Sequence, residues 1–475
     1  VKVLLVATNR ERSPYPVAPL GALCVAGAAR AGGHDLEFLD MGVERNPQLA
    51  LQRSLAEIDF QAVAFGIRNL DNCWFFAPRS YFDDVREFVD IVRKNFSGPL
   101  ILGGTGFSVS PQGWMRRLNA DCGVMGEGER AFQEVLTRLE KGQSLEGIDG
   151  VITAQKNSVP VTAAVTQAID RLGELPPPAH DLCHYSRYLR GGGFVGVQTK
   201  RGCPFKCSYC IYPQLEGRRY RLRPPEAVAE EVEKVYRESR VRDFFFVDSV
   251  FNDPPKHALA VCQELTRRKL PVRWNAFCNP VGFDAELARA MAQAGCSGVE
   301  FGLDVASEKM FAAMAKPFGQ KETRIALKAA HDAGLPFANI MLFGGPTETW
   351  KDVQDTQNFL NDCAPANAVF ATIGIRVFEN TPLAGTAVQE GQVAPDQDLF
   401  EPTYYLSSAM AQDTEIKLDR IARRNASWQS PVDWKRFVTR FGQKVTVALN
   451  VRPQWKYIRH YGRWMRKQEK QIRRA

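Results

Sequence analysis

The sequence contains no uninterrupted apolar run of about 18 residues, so no conventional membrane-spanning helix is expected. Nor does it open like a secretory leader. Val1 runs straight into VKVLLVAT, which reads as a buried strand, whereas a signal peptide needs a basic start, a longer apolar stretch and a small-residue cleavage site. A cytoplasmic location is the default expectation, and with it reduced cysteines. Histidine is scarce, with six among 475 residues. Acidic residues are almost missing from the end of the chain. From Val451 onward Glu469 stands against Arg452, Lys456, Arg459, Arg463, Arg466, Lys467, Lys470, Arg473 and Arg474, so this tail carries the whole net charge of +8. The remainder balances to zero and gives no case for nucleic-acid binding. What is present is ordinary folded-protein material, 45% hydrophobic and 24% charged, with length for about three domains.

Eight of the eleven cysteines are scattered singly and read as buried apolar residues. The other three, Cys203, Cys207 and Cys210, lie in RGCPFKCSYC. A structural zinc site closes with four Cys or His ligands. Here no second pair follows, and the nearest histidines, His180 and His184, precede a glycine run. An iron–sulfur cluster held by three thiolates leaves one iron open to a ligand, which favours a cluster over zinc or plain core cysteines. The surroundings alternate strand and helix. GFVGVQTKRG leads into the loop, and RPPEAVAEEVEKVYRE follows with Val228, Val232 and Val235 on one helical face. RDFFFVDSVF, VRWNAFC, SGVEFGLDV, PFANIMLFGG and AVFATIGIRVF read as further strands. Such alternation builds a parallel sheet or barrel with its function at the strands' C-terminal ends.

The Cys-x3-Cys-x2-Cys spacing with an aromatic before the last cysteine resembles the radical SAM superfamily. The resemblance implies a 4Fe–4S cluster on Cys203, Cys207 and Cys210, whose open iron takes the amino and carboxylate groups of S-adenosylmethionine and cleaves it to a 5′-deoxyadenosyl radical. It implies a partial (β/α)6 barrel, with Glu300 at the SAM ribose and Asp248 and Ser249 at the methionyl amino group. VDSV departs from the commoner Gly-Gly-Glu there. Arg376 is a candidate for the methionyl carboxylate or, equally, for a structural ion pair. Tyr209 is a candidate for packing on the adenine. GGPTET, Gly344 to Thr349, resembles the family's loop after the fifth strand, with Thr349 also suited to capping the next helix.

The first 150 residues have their own strand–helix rhythm and read as a doubly wound domain. The order PYPVAPLGALCVAGAARAGGHDLEFLD, LILGGTGFSVSP, DCGVMGEGERAF resembles the cobalamin-binding domain of cobalamin-dependent radical SAM enzymes. The resemblance implies cobalamin contacts from Pro19, Leu20 and Gly21, from Gly103, Gly104 and Thr105, and from Gly126, Glu127 and Gly128. The wider family's Asp-x-His-x-x-Gly motif places Ala18 where a cobalt-ligating histidine would stand. Arg68, after the third strand, is then a candidate for an unligated lower cobalt face, or for a salt bridge to Asp71 or Glu127. His34 sits in a turn and reads as a surface residue.

The expected α/β organisation is a Rossmann-like cobalamin-binding domain over 1–150, a linker over 151–190 with Pro176–Pro178, a radical SAM barrel over 191–390 and a mostly helical extension over 391–475. The implied activity is a cobalamin-dependent radical SAM methyltransferase acting on an unactivated carbon of a small-molecule or lipid-like substrate, supplied with electrons by a donor such as flavodoxin or ferredoxin. A non-methylating rearrangement, ring contraction or cyclisation is the alternative. Aromatic residues among the tail's cations suit either a peripheral membrane contact or packing on the protein itself.

Overall fold

Two parallel sheets account for the architecture, and the C-terminal ends of their strands face each other. The computed structural model describes residues 1–154, 168–435 and 437–462. Residues 155–167 of the expected linker and the tail from Arg463 lie outside the described residues.

The first sheet comprises β1 (Lys2–Ala7), β2 (Asp35–Asp40), β3 (Ala62–Gly66), β4 (Leu100–Gly103), β5 (Cys122–Val124) and β6 (Val151–Thr153). Its order is β2-β1-β3-β4-β5-β6. β1 to β5 run parallel, and β6 pairs antiparallel with β5, so the first residues of the expected linker belong to this sheet. The chain order reverses between β1 and β3. That switch point opens a crevice at the strands' C-terminal ends. Two apolar cores cover the faces, one with Phe88 and Trp114, the other with Ala26 and Phe132.

The second sheet begins at β7 (Val195–Val197). Two short strands, β8 (Lys200–Arg201) and β9 (Arg221–Leu222), bracket the cysteine loop. Then come β10 (Asp243–Phe246), β11 (Arg273–Cys278), β12 (Cys296–Asp304), β13 (Phe337–Phe343) and β14 (Ala368–Ile373). β15 (Ile375–Arg376) pairs with β16 (Tyr404–Tyr405), and β17 (Trp428–Gln429) joins the edge of β14. The order β17-β14-β13-β12-β11-β10-β7 gives the six expected barrel strands plus a seventh from the C-terminal region, where sequence alternation fades. Register places Phe277, Glu300, Ala338 and Ala368 side by side on the inner face. The alternate residues Val299, Phe301 and Leu303 are fully buried on the outer side, where Phe301 packs on Phe283.

The loops at the two sets of strand ends interlock. After β1, Tyr15 packs edge-on against Phe194, and Leu20 lies against Gly196 of β7. After β3, Phe75 sits where a side chain at Gly374 would stand. After β5, Glu129 pairs with Arg201, and Glu127 pairs with Arg221. Asp71 accepts from Arg376 Nε at 2.7 Å, both side chains being 3% exposed or less. Removing one partner of such a pair strands a buried charge, at a cost of about 3–5 kcal/mol. Asp71→Asn is therefore expected to lower the melting temperature sharply, whereas Asp71→Leu combined with Arg376→Met recovers most of the loss. Thermal unfolding of both variants measures this, and an unchanged melting point for Asp71→Asn contradicts it.

Candidate active site

The cysteine loop lies at the C-terminal end of β7, closed at its base by Cys203 N–H donating to Gly217 O at 3.0 Å and Cys210 N–H to Cys207 O at 3.1 Å. It is braced by the barrel, with Ser208 N–H donating to Met314 O and Leu383 N–H to Ser208 O. All three thiols are free, Cys203 buried and the others half-buried. Burial pushes each above its ordinary value, Cys210 up to about 12. Bare thiolates are thus disfavoured there, and bound iron would supply the counter-charge that burial withholds. Among the described residues, no three His, Cys, Asp or Glu side chains converge on one ion position.

Beside the loop, the Tyr209 hydroxyl donates to Asp304, and Lys316 Nζ donates to the same carboxylate at 2.6 Å. Tyr209 is therefore anchored through its hydroxyl, with its ring half-buried next to the cysteines. Ser249 Oγ donates to Gly202 O at 3.3 Å and stays partly exposed at the cluster loop. Asp248 differs from its expected role. Its carboxylate is buried and accepts from Thr199 N–H (2.7 Å), Thr199 Oγ1 (2.5 Å), Lys200 N–H (3.2 Å) and Lys200 Nζ (3.4 Å), so it pins the entry to the loop and has nothing left for a ligand. Arg376 is likewise committed, to Asp71 and to the carbonyls of Val377 and Leu399, which answers in favour of the structural ion pair. Glu300 does face the barrel interior. Burial raises its pKa to about 7, Trp455 Nε1 donates to its Oε1 at 2.9 Å, and its Oε2 has no partner among the described residues. Phe277, its neighbour across the ladder, is 39% exposed although it points inward, so the barrel interior is open and apolar there.

Pro19, Leu20 and Gly21 stand at the start of the helix Leu20–Ala31, on one side of the switch-point crevice, and a side chain at Gly21 would meet only open space. Arg68 stands on the other side, after β3. Both carboxylates proposed for it are taken, Asp71 by Arg376 and Glu127 by Arg221, and among the described residues Arg68 makes no ion pair or hydrogen bond. It is exposed to the crevice, yet enough protein surrounds it for burial to lower its pKa, with the Tyr212 and Tyr15 hydroxyls in electrostatic range. Ala18 is buried in the core shared with the barrel. His34 is also buried, against Thr137, and is not the surface residue expected. The glycines divide by cause. Gly104 (φ +96°) and Gly106 let the β4 exit loop close onto the backbone of Ile67 and Asn69, a packing role and not a ligand approach. Gly103 ends β4, Gly104 and Thr105 stay exposed, and Gly128 packs against Val25. Gly126 (φ +68°) opens onto a cavity of about 360 Å³ between the domains, which Arg116, Arg130, Ile211 and Gln214 also line. Glu127 borders this cavity with its carboxylate already held by Arg221 and by the Ile169 N–H, a structural role in place of the expected cofactor contact.

Sequence reading missed several residues. Glu348, fully buried with its pKa raised to about 7 by burial, accepts from the N–H groups of Gly344 (2.6 Å) and Gly345 (3.0 Å) and shapes the GGPTET loop. Thr349, by contrast, caps the helix Trp350–Asn361, as the sequence suggested. Lys316 and Asp304 carry no motif. Of the two readings given for the aromatic residues of the tail, Trp455 follows packing on the protein itself: it is 7% exposed and turned inward, as is Arg452, while Tyr457 and Tyr461 remain exposed. Among the described residues no helix is long and apolar enough to cross a membrane.

Comparison with known proteins gives two family matches, the radical SAM superfamily over residues 197–360 and the B12 binding domain over residues 8–136. An uncharacterized methyltransferase of Pyrococcus horikoshii is 30% identical over 405 residues, covering 83% of each chain. A tryptophan 2-C-methyltransferase of Streptomyces laurentii is 25% identical, covering 80% of this chain and 74% of that one. In fold, the chain matches the radical S-adenosylmethionine methyltransferase TsrM of Kitasatospora setae, solved with cobalamin and a [4Fe-4S] cluster, with a TM-score of 0.84 at 23% identity over 99% of both chains. The cysteine loop, the switch-point crevice facing it and these similarities together show that the chain belongs to the cobalamin-dependent radical SAM methyltransferases.

Proposed function

We propose that the protein methylates an unactivated carbon of a small molecule with apolar surface, in the cavity enclosed between the two sets of strand ends. The observation that carries this reading is the opposition of Arg68, a cation in the crevice of the first domain with no partner among the described residues, to Tyr212 at the end of the cysteine loop and to the open inner face of the barrel. When bound, the cluster with S-adenosylmethionine supplies a 5′-deoxyadenosyl radical, and cobalamin supplies a transferable methyl group.

The chain's own residues do the rest. Cys203, Cys207 and Cys210 hold the cluster. Oε2 of Glu300 accepts from the ribose hydroxyls, Ser249 meets the methionyl amino group, and the half-buried ring of Tyr209 borders the adenine. The crevice residues Pro19, Leu20 and Gly21 on one side and Arg68 on the other would bound the corrin. Arg68 would face it without ligating cobalt, because a guanidinium stays protonated and has no lone pair to offer. The cavity beside Gly126, with Arg116 and Arg130 on its wall, suits the phosphate-bearing tail of the cofactor. Phe277 and the inward faces of Ile340 and Leu342 give the substrate an apolar wall and exclude water from a carbon radical. A reduced flavodoxin or ferredoxin is the class of donor this chemistry requires.

Two outcomes check the assignment. Replacing any of Cys203, Cys207 or Cys210 with Ala removes bound iron and deoxyadenosine formation and leaves cobalamin absorbance intact, because the crevice and the cysteine loop belong to different sheets. A variant with normal iron and normal turnover contradicts it. Electron paramagnetic resonance of the Co(II) form is expected to show no axial nitrogen from the protein. A nitrogen hyperfine pattern that disappears on mutating one of the six histidines would remove the role given to Arg68.

A further inference from the structure

The segment from Asn450 to Gly462 crosses the N-terminal end of the barrel as a strap. Arg273 at the start of β11 donates to Asn450 Oδ1 at 2.6 Å, and Gln454 donates to Gly192 O before β7 at 2.9 Å. On the far side Asn367, just before β14, donates to Lys456 O at 2.8 Å and accepts from Arg459 N–H at 3.0 Å. Between these anchors Trp455 points up into the barrel, onto Ala338 and Ala368 of the inner face. Room for it exists because position 298 is glycine. A Cβ there would stand 2.6 Å from Pro453 and 3.0 Å from the indole of Trp455.

We propose that Trp455 is a positioning residue for S-adenosylmethionine, holding Glu300 so that its free oxygen meets the ribose. This rests on the reading of Glu300 given under the proposed function. The terminal torsion of a glutamate is broad and fixes no direction on its own. An indole N–H can only donate, so it commits Oε1 as an acceptor and leaves Oε2 to the cavity. The indole is rigid, and the strap that carries it is tied to strands on both sides of β12. The C-terminal segment is therefore part of the active site and not an appendage to it.

The test measures S-adenosylmethionine binding by equilibrium dialysis on protein loaded with cluster and cobalamin, across pH 5.5–8.5. In the parent protein, affinity is expected to rise with pH through about 7, as Glu300 becomes a carboxylate. Tyr15, in electrostatic range from the loop after β1, stays protonated throughout because burial raises its pKa. Trp455→Phe keeps the ring and removes the donor. It is expected to weaken binding about ten-fold, the scale of a hydrogen bond to a charged group. It also moves the pH midpoint upward, because the indole donor lowers the pKa of Glu300, while iron content and cobalamin uptake stay at parent levels. Glu300→Gln is expected to weaken binding and flatten its pH dependence. If Glu300→Gln behaves so while Trp455→Phe keeps the parent affinity and midpoint, the positioning role is overturned and the reading of Glu300 stands. If Glu300→Gln binds like the parent, the reading of Glu300 itself fails. Should Trp455→Phe not fold, Gly298→Ala, which keeps the indole but displaces the strap, decides. Weakened binding supports the role, and parent affinity overturns it.

Discussion

Everything in the site depends on a small set of buried carboxylates and guanidinium groups that fasten the first domain to the barrel. Glu129 and Glu127 follow β5, and Arg201 and Arg221 flank the cysteine loop. Burial works against the charge on Glu129, but the Arg201 guanidinium overrides it and holds the carboxyl below its ordinary value. A charge this deep is tolerable only when paired and hydrogen-bonded, so the network permits one relative placement of the two domains and penalises others. Arg376 and Asp71 repeat the device at the β3 and β14 exits. Between these two fastenings the strand ends face each other. That arrangement puts a crevice whose Arg68 has no partner among the described residues opposite three thiols.

An enclosure of this kind suits the chemistry. A carbon radical must be held near its partner and away from water, and positioning of reactants in a closed cavity supplies both. Here the first domain covers the C-terminal end of the barrel, and the strap around Trp455 closes the N-terminal end. The inner wall keeps exposed apolar surface at Phe277 while the outer residues of the same strands are fully buried. Inside a packed protein, accessible apolar surface of that kind marks space for a ligand.

Local signals made the fold legible. The strand–helix alternation, the cysteine triplet and the glycines after β4 and β5 are each written within a few tens of residues. The site was legible only where its chemistry is also local. Cys203, Cys207 and Cys210 share one loop, and Arg68 follows its own strand directly. Arg376 could not be assigned from sequence because its partner, Asp71, lies 305 positions away. Asp248 looked like a ligand because it follows a strand at the family's position for the methionyl amino group, yet its oxygens are filled by Thr199 and Lys200, 49 and 48 positions earlier. Glu127 failed in the same way. In the tail, aromatics among cations suited a lipid interface as well as a protein one. Only the glycine at position 298, which makes room for an indole, distinguishes the two, and nothing in the sequence ties it to residue 455.

The claim that both cofactor sites open onto one cavity is tested most directly by spin coupling between them. With Co(II) cobalamin bound and the cluster reduced, the facing geometry predicts faster relaxation of the cobalt signal than in the oxidised-cluster state, and loss of that difference in Cys203→Ala. Cobalt relaxation that is identical with the cluster reduced, oxidised or absent would place the two sites apart and contradict a shared cavity.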